Sequence, residues 1–355
     1  MRVPRGKPVL YLFCACVGIY CYYFFGVSDY VYSKNFEDNF DYPMNVDIRP
    51  LVAEVLSGNN PSVAPINYYP YRFLSNSGKC ATLHKIDLFI AVKSAMENFE
   101  HRNAIRRTYG QNNVPGKNVQ TLFFLGIDGN VKSDTQRAID KEMAEFKDII
   151  QIDFRDTYFN NTIKTVMTFR WLYEYCSKAD FYLFTDDDMY ISVKNLLHYV
   201  DGLVHSVKVQ NESASDVMME NDVTSDANAL NRDNLIFAGY VFKSAPQRFR
   251  SSKWRVSLEE YPWNKWPAYV TAGAYVVSNS AMKTMYVGTL FVKHFRFDDI
   301  YLGIVAKKVG IEPIHCPMFH FYKKKYSKED YKNVIASHGY SDHDELIRVW
   351  NEQNS

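Results

Sequence analysis

From residue 86 onward, short, largely apolar runs alternate with stretches that are apolar on one helical face only. Residues 86–92, 121–126, 148–154 and 181–184 are runs of the first kind, which is how strands buried on both faces read. Between them, residues 101–110 read as a basic helix start. Residues 134–147 alternate charge at helical spacing, as a solvent-facing helix does, and residues 164–176 read as a helix with one buried face. Strand–helix–strand alternation predicts an α/β domain whose central sheet is mostly parallel, with helices on both faces. The domain is expected over residues 85–355. Residues 206–234, rich in Asn, Asp, Glu and Ser, interrupt the pattern and are expected to be a mobile surface insertion.

The first 84 residues read differently. Residues 1–8 carry Arg2, Arg5 and Lys7, and residues 9–27 carry no charge. Nineteen apolar residues are at the short end of what a transmembrane helix needs. The basic residues ahead of them predict a cytoplasmic tail and a lumenal remainder. A cleaved signal peptide is the competing reading, but Tyr and Phe stand where small residues should mark a cleavage site. Residues 28–84 contain Pro43, Pro50, Pro61, Pro65 and Pro70 with no sustained period, and are expected to be a stem without a core. In this topology Asn160 and Asn211 head glycosylation sequons. Cys80, Cys176 and Cys316 meet an oxidising compartment, and three thiols allow at most one intrachain bridge.

A formal net charge of +1 supplies no field to draw nucleic acid. Aromatic residues, with 27 Tyr and 24 Phe, suit sugar rings as well as cores. The chemistry concentrates at Asp186-Asp187-Asp188, which the apolar run 181–184 enters through Thr185. Buried, unpaired carboxylates are very costly. The triplet therefore belongs where a strand leaves the core, at the carboxyl end where open α/β sheets bind ligands, with positive charge nearby. A divalent cation that also neutralises a phosphate group fits. The plain alternative is a solvated acidic turn.

Several segments, in order, resemble glycosyltransferase family 31, the β-1,3-glycosyltransferases. Arg102-Asn103-Ala104-Ile105-Arg106-Arg107-Thr108-Tyr109-Gly110 matches R-x-A-I-R-x-T-W-G, with Tyr for Trp. The run from Asp153-Phe154 through Asn161-Thr162-Ile163-Lys164-Thr165 matches D-F-x-D-x-Y-x-N-L-T-x-K-T. The Asp triplet matches the metal motif. Trp266-Pro267-Ala268-Tyr269 through Gly273-Ala274-Tyr275 is similar to Y-P-P-Y-x-x-G-x-G-Y, and Asp298-Asp299-Ile300-Tyr301-Leu302-Gly303 to E-D-V-Y-x-G. Within the family the chain is most similar to the brainiac-like branch.

The resemblance implies a GT-A nucleotide-sugar-binding fold and a type II Golgi membrane protein. It implies inverting transfer of N-acetylglucosamine from its UDP donor to a mannose-terminated glycolipid, with UDP-galactose as the alternative donor. Asp186, Asp187 and Asp188 would serve the donor, with Asp188 and His338 holding Mn2+; His315 and His320 are fallback ligands. Asp299 would be the base, although Asp298 and Asp299 also read as a helix cap. Arg102, Arg106, Lys164 and Gly273 are expected at the donor. Trp263, Trp266, Tyr269 and Asp298 are expected at the acceptor. A non-catalytic sugar-binding protein on the same fold is the rival from another class.

Overall fold

The computed structural model describes residues 6–41, 46–82, 85–111, 114–130, 132–218 and 235–355. It divides into two compact units. One comprises residues 1–45 with 243–268, the other residues 46–242 with 269–355.

The larger unit is built on ten strands: β1 Ile86–Lys93, β2 Val119–Ile127, β3 Ile149–Arg155, β4 Ala179–Asp186, β5 Met189–Ile191, β6 Phe237–Phe242, β7 Tyr269–Ser278, β8 Ile314–His315, β9 Phe319–His320 and β10 Ala336–His338. Seven form one sheet in the order β3-β2-β1-β4-β7-β6-β8, and β5-β10-β9 form a second. In the large sheet β7 alone runs against both of its neighbours, and the other four adjacent pairs are parallel. The mostly parallel α/β sheet is thus as expected. The four apolar runs are β1 to β4, buried along nearly their whole length because helices cover the sheet. The helices Phe99–Arg107, Asp134–Phe146 and Asn161–Tyr175 fall in the intervals between them.

Residues 46–82 are not a free stem. The helix Arg49–Leu56 buries Leu51 and Val52. Asn67 donates to the Thr289 carbonyl at 2.7 Å. The Leu74 N–H donates to the Gln151 carbonyl at 2.7 Å, so this segment runs along β3. Cys80 is bonded to Cys176, and Cys316 is a buried free thiol. Pro50 sits at the start of the helix Arg49–Leu56, where proline is tolerated, and the rest of the segment packs by backbone and side-chain bonds to the rest of the larger unit.

In the smaller unit the expected apolar helix runs Gly6–Phe24. It ends because Gly26 takes φ 68°, where an added Cβ would lie 2.4 Å from the Arg248 carbonyl oxygen. The helix is 19 residues long, about 28 Å at 1.5 Å each, and Val27 of the expected span 9–27 opens a separate short helix, Val27–Val31. A hydrocarbon core is ~30 Å thick. No helix among the described residues is long and apolar enough to cross a membrane. The Phe24 carbonyl accepts from the Arg250 N–H, and Phe249 stacks on Phe25. Buried Arg248 donates to the Val256, Tyr261 and Trp263 carbonyls, and so holds this loop together.

The expected insertion at 206–234 begins as helix. Val193–Met218 is one continuous helix, and residues 219–234 lie outside the described residues.

Candidate active site

Two strand ends bring the chemistry together. Lys93 closes β1 and Asp186 closes β4, and the parallel register makes them neighbours. The Lys93 Nζ lies 3.1 Å from Asp186 and 2.8 Å from Asp298, which opens the helix Asp298–Val309. Asn161 and Thr165 also donate to Asp298, at 3.0 and 2.9 Å. They stand four residues apart and so share one helix face. One buried ammonium therefore joins the strand-end acid to the acid beside Asp299. The two carboxylates hold the Lys93 pKa above its ordinary value despite burial. Lys93, Asn161 and Thr165 were absent from the expected site residues. A lysine ending an otherwise apolar strand was the available signal.

The three triplet acids have different surroundings. Burial, opposed by Lys93 and aided by Asp298 and Asp188, pushes Asp186 up to about 6. Asp187 is buried and accepts from Ser94 Oγ at 2.6 Å and Asn98 Nδ2 at 3.0 Å. Asp188 turns toward the second sheet, where β5 pairs with β10 and sets His338 opposite Met189. Its Oδ2 lies 3.2 Å from His338 Nε2. Burial raises the Asp188 pKa, with His338 opposing. An imidazole beside a carboxylate is a donor set suited to Mn2+. Among the described residues no three His, Cys, Asp or Glu side chains converge on one point. A metal held by this pair would draw its other ligands from outside these side chains. Gly273 faces this pair: a Cβ there would meet Met189 Sδ at 3.3 Å and His338 Cδ2 at 3.5 Å.

Asp299 is half-buried. Burial and the adjacent charge of Asp298 push its carboxyl up to about 7, while Lys93 and the Ile300 N–H act the other way. A carboxylate near neutrality is matched to accept a proton at neutral pH. Nearby, the phenols of Tyr109 and Tyr275 are fully buried and find no hydrogen-bond partner among the described residues.

Other expected site residues have different work. Arg102 is fully buried, and all five of its N–H donors are engaged: two on Glu142, the rest on Ser94 Oγ and the carbonyls of Ala95 and Met96. It cannot reach a donor, but it fixes the Ser94 hydroxyl that supports Asp187. Arg106 pairs with Asp148 and Glu142 and covers Phe146. Lys164 pairs with Asp156 and donates to the Ser94 carbonyl. Trp263 and Trp266 are buried in the smaller unit, packed on Tyr261. Tyr269, at the start of β7, stacks on Phe242. His315 Nδ1 accepts from the Val241 N–H, and His320 stands beside Tyr322; neither joins Asp188. Asn160 donates to the Arg155 carbonyl, and the Asn211 side chain lies outside the described ones.

A family model described as galactosyltransferase matches residues 100–317. The β-1,3-galactosyltransferase brn of Drosophila melanogaster is 36% identical over 333 residues, 93% of this chain and 91% of that protein. Human β-1,3-galactosyltransferase 1 is 30% identical over 83% of this chain and 82% of its own. Human lactosylceramide 1,3-N-acetyl-β-D-glucosaminyltransferase is 29% identical over 98% and 86%.

Proposed function

The chain belongs to the galactosyltransferase family and is a β-1,3-glycosyltransferase, and from that premise we propose an inverting, Mn2+-dependent enzyme of GT-A type. It moves N-acetylglucosamine from UDP to the 3-hydroxyl of a mannose-terminated glycolipid. The observation that carries this reading is the Lys93 bridge, which sets a strand-end acid and a helix-start acid on one buried ammonium.

Asp299 takes the acceptor proton as the glycosidic bond forms. Asp298, fixed by Lys93, Asn161 and Thr165, orients the helix start and keeps the Asp299 pKa near neutrality through its charge. Asp187, held by Ser94 and Asn98, and Asp186 face the donor. Asp188 and His338 would hold the metal, which supplies Lewis-acid neutralisation of the departing UDP. With the leaving group stabilised in that way, one carboxylate base suffices for inversion.

UDP-galactose is the second reading, favoured by the names of two relatives. The reading also makes the protein a single-pass type II Golgi protein with a lumenal catalytic unit. The Cys80–Cys176 bridge supports an oxidising compartment. The exposed Val9, Leu10, Leu12 and Phe13 support membrane attachment, while the helix length makes any span a short one.

The test is a donor screen on the full chain in detergent, with Mn2+ and a β-mannoside. Transfer from UDP-N-acetylglucosamine alone is the expected result. Transfer from UDP-galactose alone would replace the donor and keep the mechanism. Equal rates after chelation of the metal would overturn the metal assignment.

A further inference from the structure

The tryptophans expected at the acceptor are enclosed in their own unit, yet the larger unit carries an aromatic surface that the mechanism above leaves unused. At the end of β6, Tyr240 packs on Phe321 with ring centroids 4.7 Å apart, and Phe242 packs on Phe321 at 4.8 Å. Tyr269 extends the group through Phe242 at 5.9 Å, and His315 closes it against Tyr240 at 5.0 Å. Tyr322 lies edge-on to Phe321. Phe321 and Tyr322 are 40% and 50% exposed, His315 is exposed at the margin, and Tyr240, Phe242 and Tyr269 beneath them are half-buried.

Register fixes where this shelf lies. β9 and β10 are parallel, with His320 opposite Ser337. Phe321 and His338, the partner of Asp188, are the residues that directly follow this last pair on the two strands. β6 ends against the start of β7, four residues before Gly273, which faces His338. The shelf therefore borders the Asp188–His338 pair. Its rings present apolar faces, and its tyrosines add hydroxyls. A pyranose offers the complementary surface, C–H groups on one face and hydroxyls around the rim.

We propose that Phe321 and Tyr322, seated on Tyr240 and Phe242, form a stacking subsite for a pyranose ring of the acceptor glycan. The proposal rests on the glycosyltransferase reading and names where that reaction's second substrate is held. A lipid tail is the competing occupant; it would have no use for the tyrosine hydroxyls or for a position beside the metal pair.

The experiment uses the full chain in detergent with methyl β-mannoside and methyl β-galactoside. Saturation-transfer NMR reads contact between aromatic protons and the sugar, and steady-state kinetics with Mn2+ and UDP-sugar reads turnover. Saturation transfer to the ring C–H protons of one glycoside is expected, with its loss in Phe321→Ala and Tyr322→Ala. Acceptor KM rises about tenfold in each variant, as loss of one stacked ring implies, with the change in KM rather than kcat. Phe321→Trp restores the wild-type KM. Wild-type KM and undiminished saturation transfer in both alanine variants would overturn the subsite. So would saturation transfer to a decyl chain but to neither methyl glycoside. Should the wild type bind the sugar at these rings yet transfer nothing from any UDP-sugar, the subsite stands and the reaction assigned to it fails.

Discussion

Two buried ionic clusters lie near the end of β1, and they end up with opposite character. Around Glu142, Arg102 and Arg106 face two carboxylates, every N–H of Arg102 is used, and both acids accept bidentate bonds. There the Glu142 carboxyl is held below its ordinary range by the two guanidiniums, which outweigh its burial. Around Lys93, one ammonium faces Asp186 and Asp298 with Asp299 and Asp188 close by, and burial, aided by the neighbouring carboxylates, drives up the pKa values of Asp186, Asp188 and Asp299. A closed network fixes a backbone. An open one keeps protons near neutrality and retains affinity for a cation. Both clusters come from segments of similar appearance, a basic motif and an acidic motif, so charge count does not separate them; valence satisfaction does.

That contrast can be broken most directly at Asp299. Asp299→Asn is expected to lower kcat by about 10⁴-fold, the upper range for a lost general base, while Mn2+-dependent UDP affinity stays within a few fold by calorimetry. Near-normal turnover would dissolve the distinction between the clusters. In the closed cluster the effect should appear in stability: Arg102→Met leaves Glu142 short of a partner and is expected to cost about 4 kcal/mol in urea unfolding. A change below about 1 kcal/mol would show that the network is dispensable.

Smaller effects sharpen the comparison. Asp188→Ala should weaken UDP binding in Mn2+ by about a hundredfold, at least the upper end of what outer-shell losses give, and leave binding in EDTA unaltered. The base must be ionised to work, so kcat/KM should fall about tenfold per pH unit below about 7, where Asp299 takes up its proton. Asp298→Asn removes the like charge that raises Asp299 and should move this limb to lower pH. A limb that stays in place would assign it to another group.

The sheet was legible because β1 to β4 are buried along most of their length and therefore largely apolar. The Asp triplet and Asp299 stood out as acids at a strand end and a helix start, positions that turns and helix caps also use. Arg102, Arg106 and Lys164 misled for a physical reason: a cation that completes a buried network and a cation that awaits a phosphate look alike in one dimension. Lys93 escaped notice because its partners come from residues about 90 and 200 positions away in the chain, brought near only by parallel register. Trp263 and Trp266 carry the aromatic character that sugar binding needs, but burial spends it on Tyr261.

The Cys80–Cys176 bond bears on where the chain can be cut. A secreted fragment trimmed at residue 85, where the apolar period begins, would discard Cys80 and leave Cys176 as an odd thiol in an oxidising secretory route. It would also strip the segment that hydrogen-bonds along β3 through Leu74 and Gln151 and uncover that edge of the sheet for pairing with another molecule. A fragment trimmed at residue 46 keeps the bridge, the edge cover and the helix Arg49–Leu56 in one piece. That cut leaves the larger unit whole but parts residues 243–268 from residues 1–45, with which they form the smaller unit.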